Sequence, residues 1–238
     1  MSSALTRVEF EALLRREGAA RYHDRHPFHL SMQAGRLSRA ELRAWILNRY
    51  YYQTRIPIKD ALIVSKAEDA AFRRMWVRRI REQDGERDGA GGLEQWQRLG
   101  EVVGIERSEL TSLASVLPAV RRVCDAYVEL VRERSLLEGV AASLTELFAP
   151  GLMQRRILAW QRYYTWIDRA ALAYFETRVS QASHDAEQAL EYVLDHARTP
   201  MQQECCLDAL VRKTEILWGL LDAIEQATNG AVEAACAR

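Results

Sequence analysis

The chain has no excess of charge of either sign, because 33 lysine and arginine residues balance 33 aspartate and glutamate residues. A nucleic-acid-binding domain normally carries a basic excess, so the composition argues against that class. No uninterrupted apolar run approaches the roughly 20 residues that span a bilayer. The first seven residues also lack the basic-then-apolar pattern of a secretory signal. We therefore expect a cytoplasmic protein with no nucleic-acid partner and no membrane segment.

Cysteine is scarce, and its spacing favours neither a disulfide framework nor a zinc site. The four cysteines are Cys124, Cys205, Cys206 and Cys236, and no two of them form a CxxC pair. The adjacent Cys205 and Cys206 would point to different sides of a helix. Reduced thiols are the simplest interpretation.

The sequence also lacks the alternation of apolar and polar residues that marks a half-buried strand. Helical spacing recurs almost everywhere. Capping boxes at 38–41 and 199–202 predict helix starts there. Three prolines, Pro57, Pro118 and Pro150, are expected to open further helices.

The helical pattern also predicts where individual helices begin and end. The helix from 38 is expected to end near 53, and the helix from Pro57 near 82. A glycine-rich break follows at 84–92. Separate helices are expected at 168–179 and 185–196, and the last helix is expected to fade near 229–230. With no long polar linker and no internal repeat, the sequence predicts one all-α domain over residues 1–238.

Several basic residues lie on apolar helix faces. Lys213 and Arg49 share the inward faces of their predicted helices, and Arg178 follows Tyr174 by four residues. Burying an unpaired cation costs several kcal/mol, so each cation needs an anion. Internal ion pairs, for example with Glu146, or side chains that reach solvent, explain any single one equally well. Three cations on separate helices favour a shared anionic ligand.

A metal site is not expected. His23, His26 and His29 follow an HxxHxxH spacing, but Pro27 interrupts the helix between them. The paired Glu-x-x-His motifs of dinuclear iron bundles do not occur. The glycine-rich stretch at 85–92 follows a helix rather than a strand and is not a phosphate loop.

A long, ordered series of motifs is similar to the pyrroloquinoline-quinone synthase family over about residues 8–228, leaving 229–238 as a short tail. The matching segments are RYHDRHPFH (21–29), NRYYYQ (48–53), IPIKDA (56–61), DG and GG within 84–92, DAY (125–127), SLTELFAP (143–150), Tyr174-Phe175, Arg178, Lys213 and ILW (216–218).

The resemblance implies a compact seven-helix bundle with a haem-oxygenase-like (thiaminase-II-like) fold, usually a homodimer. It also implies ring closure and O2-dependent multi-electron oxidation of a bicyclic tricarboxylate amino-quinone to pyrroloquinoline quinone (PQQ), with release of H2O2. No metal or organic cofactor is implied, because O2 is the co-substrate and PQQ the product ligand. The protein would supply orientation and proton transfer.

The resemblance also assigns roles to individual positions. It implies carboxylate binding by the cations Arg49, Arg156 and Lys213. A polar and stacking surround is implied for Tyr22, His23, Gln53, Tyr127 and Glu146. Oxygen and peroxide chemistry is implied for Tyr174 and Arg178, with proton transfer near His23 and position 83.

The chain departs from the family pattern at two of these positions. Gln83 stands where the family commonly has a histidine that exchanges protons, and glutamine cannot do so near neutral pH. Met153 stands where some members have another histidine. Two alternatives therefore stay open beside the synthase: a related cofactorless oxidase with a different substrate, and a quinone carrier with weak turnover.

Overall fold

The computed structural model describes the backbone of residues 3–236 and the side chains of residues 3–230. Within the described backbone every regular element is helical, which confirms the all-α prediction. The α-helices are α1 (Arg7–Arg21), α2 (Pro27–Gln33), α3 (Arg39–Lys66), α4 (Ala70–Asp84), α5 (Gly91–Val102), α6 (Arg107–Ser112), α7 (Pro118–Glu133), α8 (Leu136–Ala142), α9 (Ala149–Tyr163), α10 (Ala173–His196) and α11 (Pro200–Cys236). Short 3₁₀ helices cover His23–Arg25, Ser143–Phe148 and Arg169–Leu172.

The predicted helix boundary at Pro57 is wrong. Pro57 lies inside α3, which runs unbroken for 28 residues. A proline in a helix interior removes the N–H that would bond the carbonyl four residues earlier, here that of Gln53. The side-chain amide of Gln83 donates to this carbonyl instead, over 3.2 Å. The helix break falls at 67–69, where the Asp69 carboxylate caps α4.

The two helices predicted at 168–179 and 185–196 are a 3₁₀ turn followed by the single helix α10. Asp185, at which the second of these helices was expected to begin, is buried in the middle of α10. There its carboxylate accepts from Arg78 over 2.9 Å, so a tertiary ion pair replaces the cap. The last helix also continues past 229–230 to Cys236. More than seven helices are therefore present in residues 3–236, several of them short.

One stretch, Leu136–Tyr163, is long and apolar enough to cross a membrane by length and composition alone, with a mean hydropathy of 1.2. The expectation that no segment approaches this length was too strict. The stretch is divided among α8, a 3₁₀ helix and α9, and these pieces pack against α10. Half of its apolar window is buried inside the fold, so its length and composition are weak evidence of a membrane span.

Helix α3 is the element around which the predicted site is arranged. It packs against α4, α5, α7 and α11, while α10 packs against α9 and the 3₁₀ helix Ser143–Phe148. The inward face of α3 carries Trp45, Arg49, Tyr52 and Gln53, at the spacing that keeps residues on one side of a helix. That the chain forms a single domain stays a prediction.

Candidate active site

Lys213 is a fully buried lysine that lies against two stacked tyrosine rings. The rings of Tyr52 and Tyr127 are parallel within 6°, with centroids 6.3 Å apart. The Lys213 Nζ lies 3.5 Å from the Tyr127 centroid and donates to the Tyr52 hydroxyl over 2.9 Å. Burial and the nearby charge of Arg49 hold the pKa of Lys213 well below its ordinary value.

Arg156 is a second buried cation, and its contacts are neutral groups. It donates to the Met153 sulfur over 3.4 Å and approaches the His29 Nε2 at 3.3 Å. Its guanidinium lies 4.8 Å from the ring centroid of Trp45. Burial, together with the charge of Arg49, lowers the pKa of Arg156.

Arg49 lies between these two cations. Its guanidinium is 3.9 Å from the ring centroid of Tyr52. Its charge lowers the pKa of both Arg156 and Lys213, so Arg49 is within electrostatic reach of each of them. Among the side chains of residues 3–230, no ion pair contains Arg49, Arg156 or Lys213. These three cations are therefore outside any ion pair of the described side chains, and Glu146 acts on Lys213 only from beyond ion-pair distance.

A hydrogen-bonded group of neutral side chains lies beside these cations. The Gln53 Oε1 accepts from the Tyr174 hydroxyl over 2.8 Å and from the Gln83 Nε2 over 3.3 Å. Gly92 leaves room for this arrangement, since a Cβ at that position would lie 2.6 Å from the Gln83 Oε1. Gln83 is thus fixed by two hydrogen bonds to Gln53, and burial raises the pKa of Tyr174.

Two other predicted residues are paired with charges of the protein itself. Glu146 accepts from Arg79 over 3.0 Å, and Arg178 lies 3.6 Å from Asp185. Burial would raise the pKa of Glu146, but the charges of Arg79 and Lys59 hold it below its ordinary value. The sequence left open whether Arg178 binds a ligand or forms an internal ion pair, and the structure shows an ion pair with Asp185.

The three histidines of the HxxHxxH run do not meet at one centre. The rings of His23 and His29 are 4.9 Å apart, whereas the His26 Nε2 faces Asp222 at 3.0 Å. With Glu225, His26 and Asp222 form the one group of metal-type ligands among the described residues. The His26 Nδ1 accepts from the Phe28 N–H, which places the proton on Nε2 and disfavours metal binding there.

Tyr22 and His23 close the site from the loop after α1. The His23 ring packs edge-on against Tyr22, with centroids 4.5 Å apart. Burial and the neighbouring His29 hold the pKa of His23 well below its ordinary value, so its imidazole is neutral near pH 7.

The structure brings the predicted residues into one region and adds others to which the sequence analysis assigned no role in the site. These are His29 beside Arg156, Tyr52 beside Lys213, Arg79 beside Glu146, and the buried pair Lys59 and Asp60. Helical phase offered a signal for Tyr52, which follows Arg49 by three residues. Helical phase offered no signal for Arg79, because α4 carries many arginines and a charged helix face of this kind is usually exposed to solvent.

Comparison with known proteins gives the family. Residues 13–223 match the model of the TENA/THI-4/PQQC family. The chain belongs to this family. A pyrroloquinoline-quinone synthase from Acidiphilium cryptum is 46% identical over 227 residues, which cover 95% of this chain and 92% of that protein. One from Rhizobium meliloti is also 46% identical, over 95% of this chain and 89% of its own length.

A solved structure confirms the fold. The structure is a domain of unknown function with a heme oxygenase-like fold from Shewanella denitrificans, and it matches with a TM-score of 0.77. The match covers 95% of each chain at 13% identity, so it bears on architecture alone. The expected haem-oxygenase-like bundle is therefore confirmed.

Proposed function

We propose that this chain is a pyrroloquinoline-quinone synthase that closes the last ring of its tricarboxylate amino-quinone substrate and oxidises it with O2. The observation that carries the proposal is that Arg49, Arg156 and Lys213 lie in one region and that none of them forms an ion pair with a described protein carboxylate. A tricarboxylate supplies the missing counter-charges. The names of the relatives at 46% identity support the same activity.

Each cation has a distinct way to hold a carboxylate. The planar guanidinium groups of Arg49 and Arg156 suit two parallel hydrogen bonds, whereas the Lys213 ammonium acts as a point charge. The His29 Nε2 approaches one side of the Arg156 guanidinium and helps to fix its orientation. The aromatic surfaces of Tyr22, Tyr52 and Tyr127 then offer stacking to the quinone plane.

Proton transfer at this site has to proceed without a histidine at position 83. The side-chain oxygen of Gln53 accepts hydrogen bonds from the Gln83 amide and from the Tyr174 hydroxyl, so Tyr174 is a hydrogen-bond donor in this structure. His23 is neutral, because burial and the nearby positive charges lower its pKa. It is proposed to take a proton during ring closure once the ligand carboxylates offset those positive charges. Tyr174 and Arg178 are proposed to contact O2 and the peroxide formed from it.

The proposal includes the surroundings of the reaction. The substrate is itself redox-active, so no metal or organic cofactor is assigned, and H2O2 leaves as the reduced product of O2. The working form is proposed to be a cytoplasmic homodimer with no nucleic-acid partner. Turnover after treatment with a chelator checks the metal-free mechanism; stoichiometric iron or zinc held by His23, His26 or His29, with activity lost on its removal, would overturn it.

The direct experiment supplies the precursor under air and follows both the absorbance of the product quinone and the release of peroxide. The proposed function predicts both signals. Tight binding of the quinone with no product would favour the carrier, which is the alternative that Gln83 suggests. Oxygen uptake with other substrates, but none with this precursor, would favour a related oxidase. The comparisons favour the synthase over both.

A further inference from the structure

A surface groove lies beside the glycine-rich turn that borders the candidate site. Its volume is about 640 Å³, and its walls come from α4, the turn itself, the start of α5 and α10. Gly91 lines this groove. The next residue, Gly92, contacts the site, since a Cβ there would lie 2.6 Å from the Gln83 Oε1 and 3.3 Å from the Tyr174 ring. The groove and the site residues Gln83 and Tyr174 therefore meet across two adjacent glycines.

Glu82 is a titratable residue of this groove that none of the roles above uses. Its side chain lines the groove and is 21% exposed. The Glu82 Oε1 lies 3.4 Å from the Arg78 Nε, whereas the buried Oε2 has no hydrogen-bond partner among the described residues. One carboxyl oxygen is therefore available to carry a proton, and the side chain is in contact with solvent.

The charges that act on Glu82 come from two helices. On its own helix, α4, they are Arg78 and Arg79, and on α10 they are Arg178 and Asp185. Burial and the negative charge of Asp185 raise the pKa of Glu82 by more than the three arginines lower it. The other charged residues that line the groove are Arg81, Glu86 and Arg87. Glu82 therefore keeps its proton to a higher pH than an ordinary glutamic acid does.

Reduction of O2 requires protons at the end of the site that faces this groove. In each two-electron step the substrate is oxidised, O2 takes up both electrons, and the peroxide formed binds two protons before it leaves as H2O2. Arg178, proposed above to contact the peroxide, keeps its own proton near neutral pH. Gln83 has no proton to exchange. Glu82 acts electrostatically on Arg178 and Arg178 on Glu82, so the carboxyl lies near the place where the protons are needed.

We propose that Glu82 supplies protons, through water, to the reduced oxygen at Arg178 and regains them from the solvent in the groove. The carboxylic acid loses its proton, a peroxide oxygen gains it, and solvent in the groove protonates the carboxylate again before the second proton is supplied. No electron passes through Glu82, and the substrate loses its own protons elsewhere, as proposed above for His23. The inference rests on the proposed function, because it names the proton source for the peroxide of that reaction.

The test variant is Glu82→Gln, which removes the acid and keeps the shape of the side chain. Arg78 retains Asp185 at 2.9 Å, so the melting temperature should fall by no more than a few degrees. With saturating precursor under air, the single-turnover rate should fall about tenfold or more, while the Kd for PQQ changes less than about threefold. In the unmodified protein the rate should decrease as pH rises through the raised pKa of Glu82, because only the protonated carboxyl donates, and Glu82→Gln should lack this dependence.

Two matched variants complete the experiment. Glu82→Asp keeps a carboxyl at this position and should recover part of the lost rate together with the pH dependence. Glu86→Gln removes a carboxylate from the same groove and should leave the rate unchanged. An unchanged rate in Glu82→Gln would overturn the inference, and so would a loss that Glu82→Asp does not relieve or an equal loss in Glu86→Gln. An unmodified protein that forms neither product nor peroxide would overturn the proposed function itself.

Discussion

The two sides of the candidate site treat buried positive charge in opposite ways. On one side, Arg79 and Arg178 are held by Glu146 and Asp185, at 3.0 Å and 3.6 Å. On the other side, Arg156 and Lys213 contact only neutral groups of the described chain.

This difference separates cations that form ion pairs within the fold from cations that are available to bind a ligand. The acidic partners raise the pKa of Arg79 despite its burial, whereas burial together with Arg49 lowers the pKa of Lys213. A protein gains no stability from a desolvated cation without a counter-ion. The unpaired side is therefore the side at which the substrate carboxylates are expected.

The largest expected effect is on quinone binding by the unpaired side. Lys213→Met, Arg156→Met and Arg49→Met should each weaken PQQ binding by about 2–5 kcal/mol, because each leaves a ligand carboxylate desolvated and unpaired. Titration of each variant with PQQ measures this change. Unchanged affinity in all three would mean that these residues serve the fold.

The paired side supplies the control for these variants. Arg79→Met leaves Glu146 without its ion-pair partner, whereas Asp185 keeps Arg78 and Arg178, so it should lower the free energy of unfolding by about 3–5 kcal/mol. Lys213→Met removes a cation with no counter-ion and should leave the free energy of unfolding unchanged or higher. Denaturant titration of the two variants compares them directly. Equal destabilisation would remove the distinction between the two sides.

Pro57 allows a second test, because its missing N–H leaves the Gln53 carbonyl to Gln83. Pro57→Ala restores the helical hydrogen bond of α3 and should stabilise the protein by up to about 3 kcal/mol. The same change makes the backbone compete with Gln83, so turnover should fall. Thermal unfolding and single-turnover kinetics measure the two effects. Higher stability with full activity would show that Gln83 does not need this carbonyl.

Gln83→His should produce a smaller change, in rate rather than in affinity. A positioned general acid or base typically increases the reaction rate about 10²–10⁴-fold. A histidine at position 83 should restore part of this increase, so turnover should become at least several-fold faster. PQQ affinity should stay nearly the same, since both side chains form hydrogen bonds. Single turnover under air, with intermediates followed spectroscopically, compares the proteins. A slower variant would indicate a proton route built around glutamine.

The smallest expected effect is the pH dependence of binding, for which Lys213 is the titrating group. A ligand carboxylate favours the charged ammonium, so binding takes up a proton and affinity falls as pH rises through the lowered pKa. In the unliganded protein the sign is opposite. Between the lowered pKa of folded Lys213 and the ordinary pKa of lysine, the unfolded chain binds the proton more strongly than the folded protein does. The free energy of unfolding therefore increases as pH rises through this range. Titrations at several pH values should show a flatter profile for Lys213→Arg, since guanidinium keeps its proton.

The sequence predicted the helical class and most of the site, but it misplaced elements where tertiary contacts override local signals. A proline such as Pro57 usually marks a helix start, yet here it lies inside α3. Gln83, 30 residues from Gln53 in sequence, donates to the Gln53 carbonyl that the proline leaves without a helical partner. A helix was expected to begin at Asp185, but this residue lies inside α10, where its carboxylate is close to Arg78, Arg79 and Arg178. Helical phase identified Lys213 and Arg49. It did not show that Arg178 pairs with Asp185, because the sequence predicted two separate helices where the single helix α10 carries both residues.

The most direct test of the account is a structure of the protein with PQQ bound. The account predicts that ligand carboxylates lie within hydrogen-bonding distance of Arg49, Arg156 and Lys213, and that the pairs of Arg79 with Glu146 and Arg178 with Asp185 remain intact. A quinone bound elsewhere, or held by Arg79 and Arg178 after they release their protein carboxylates, would contradict it.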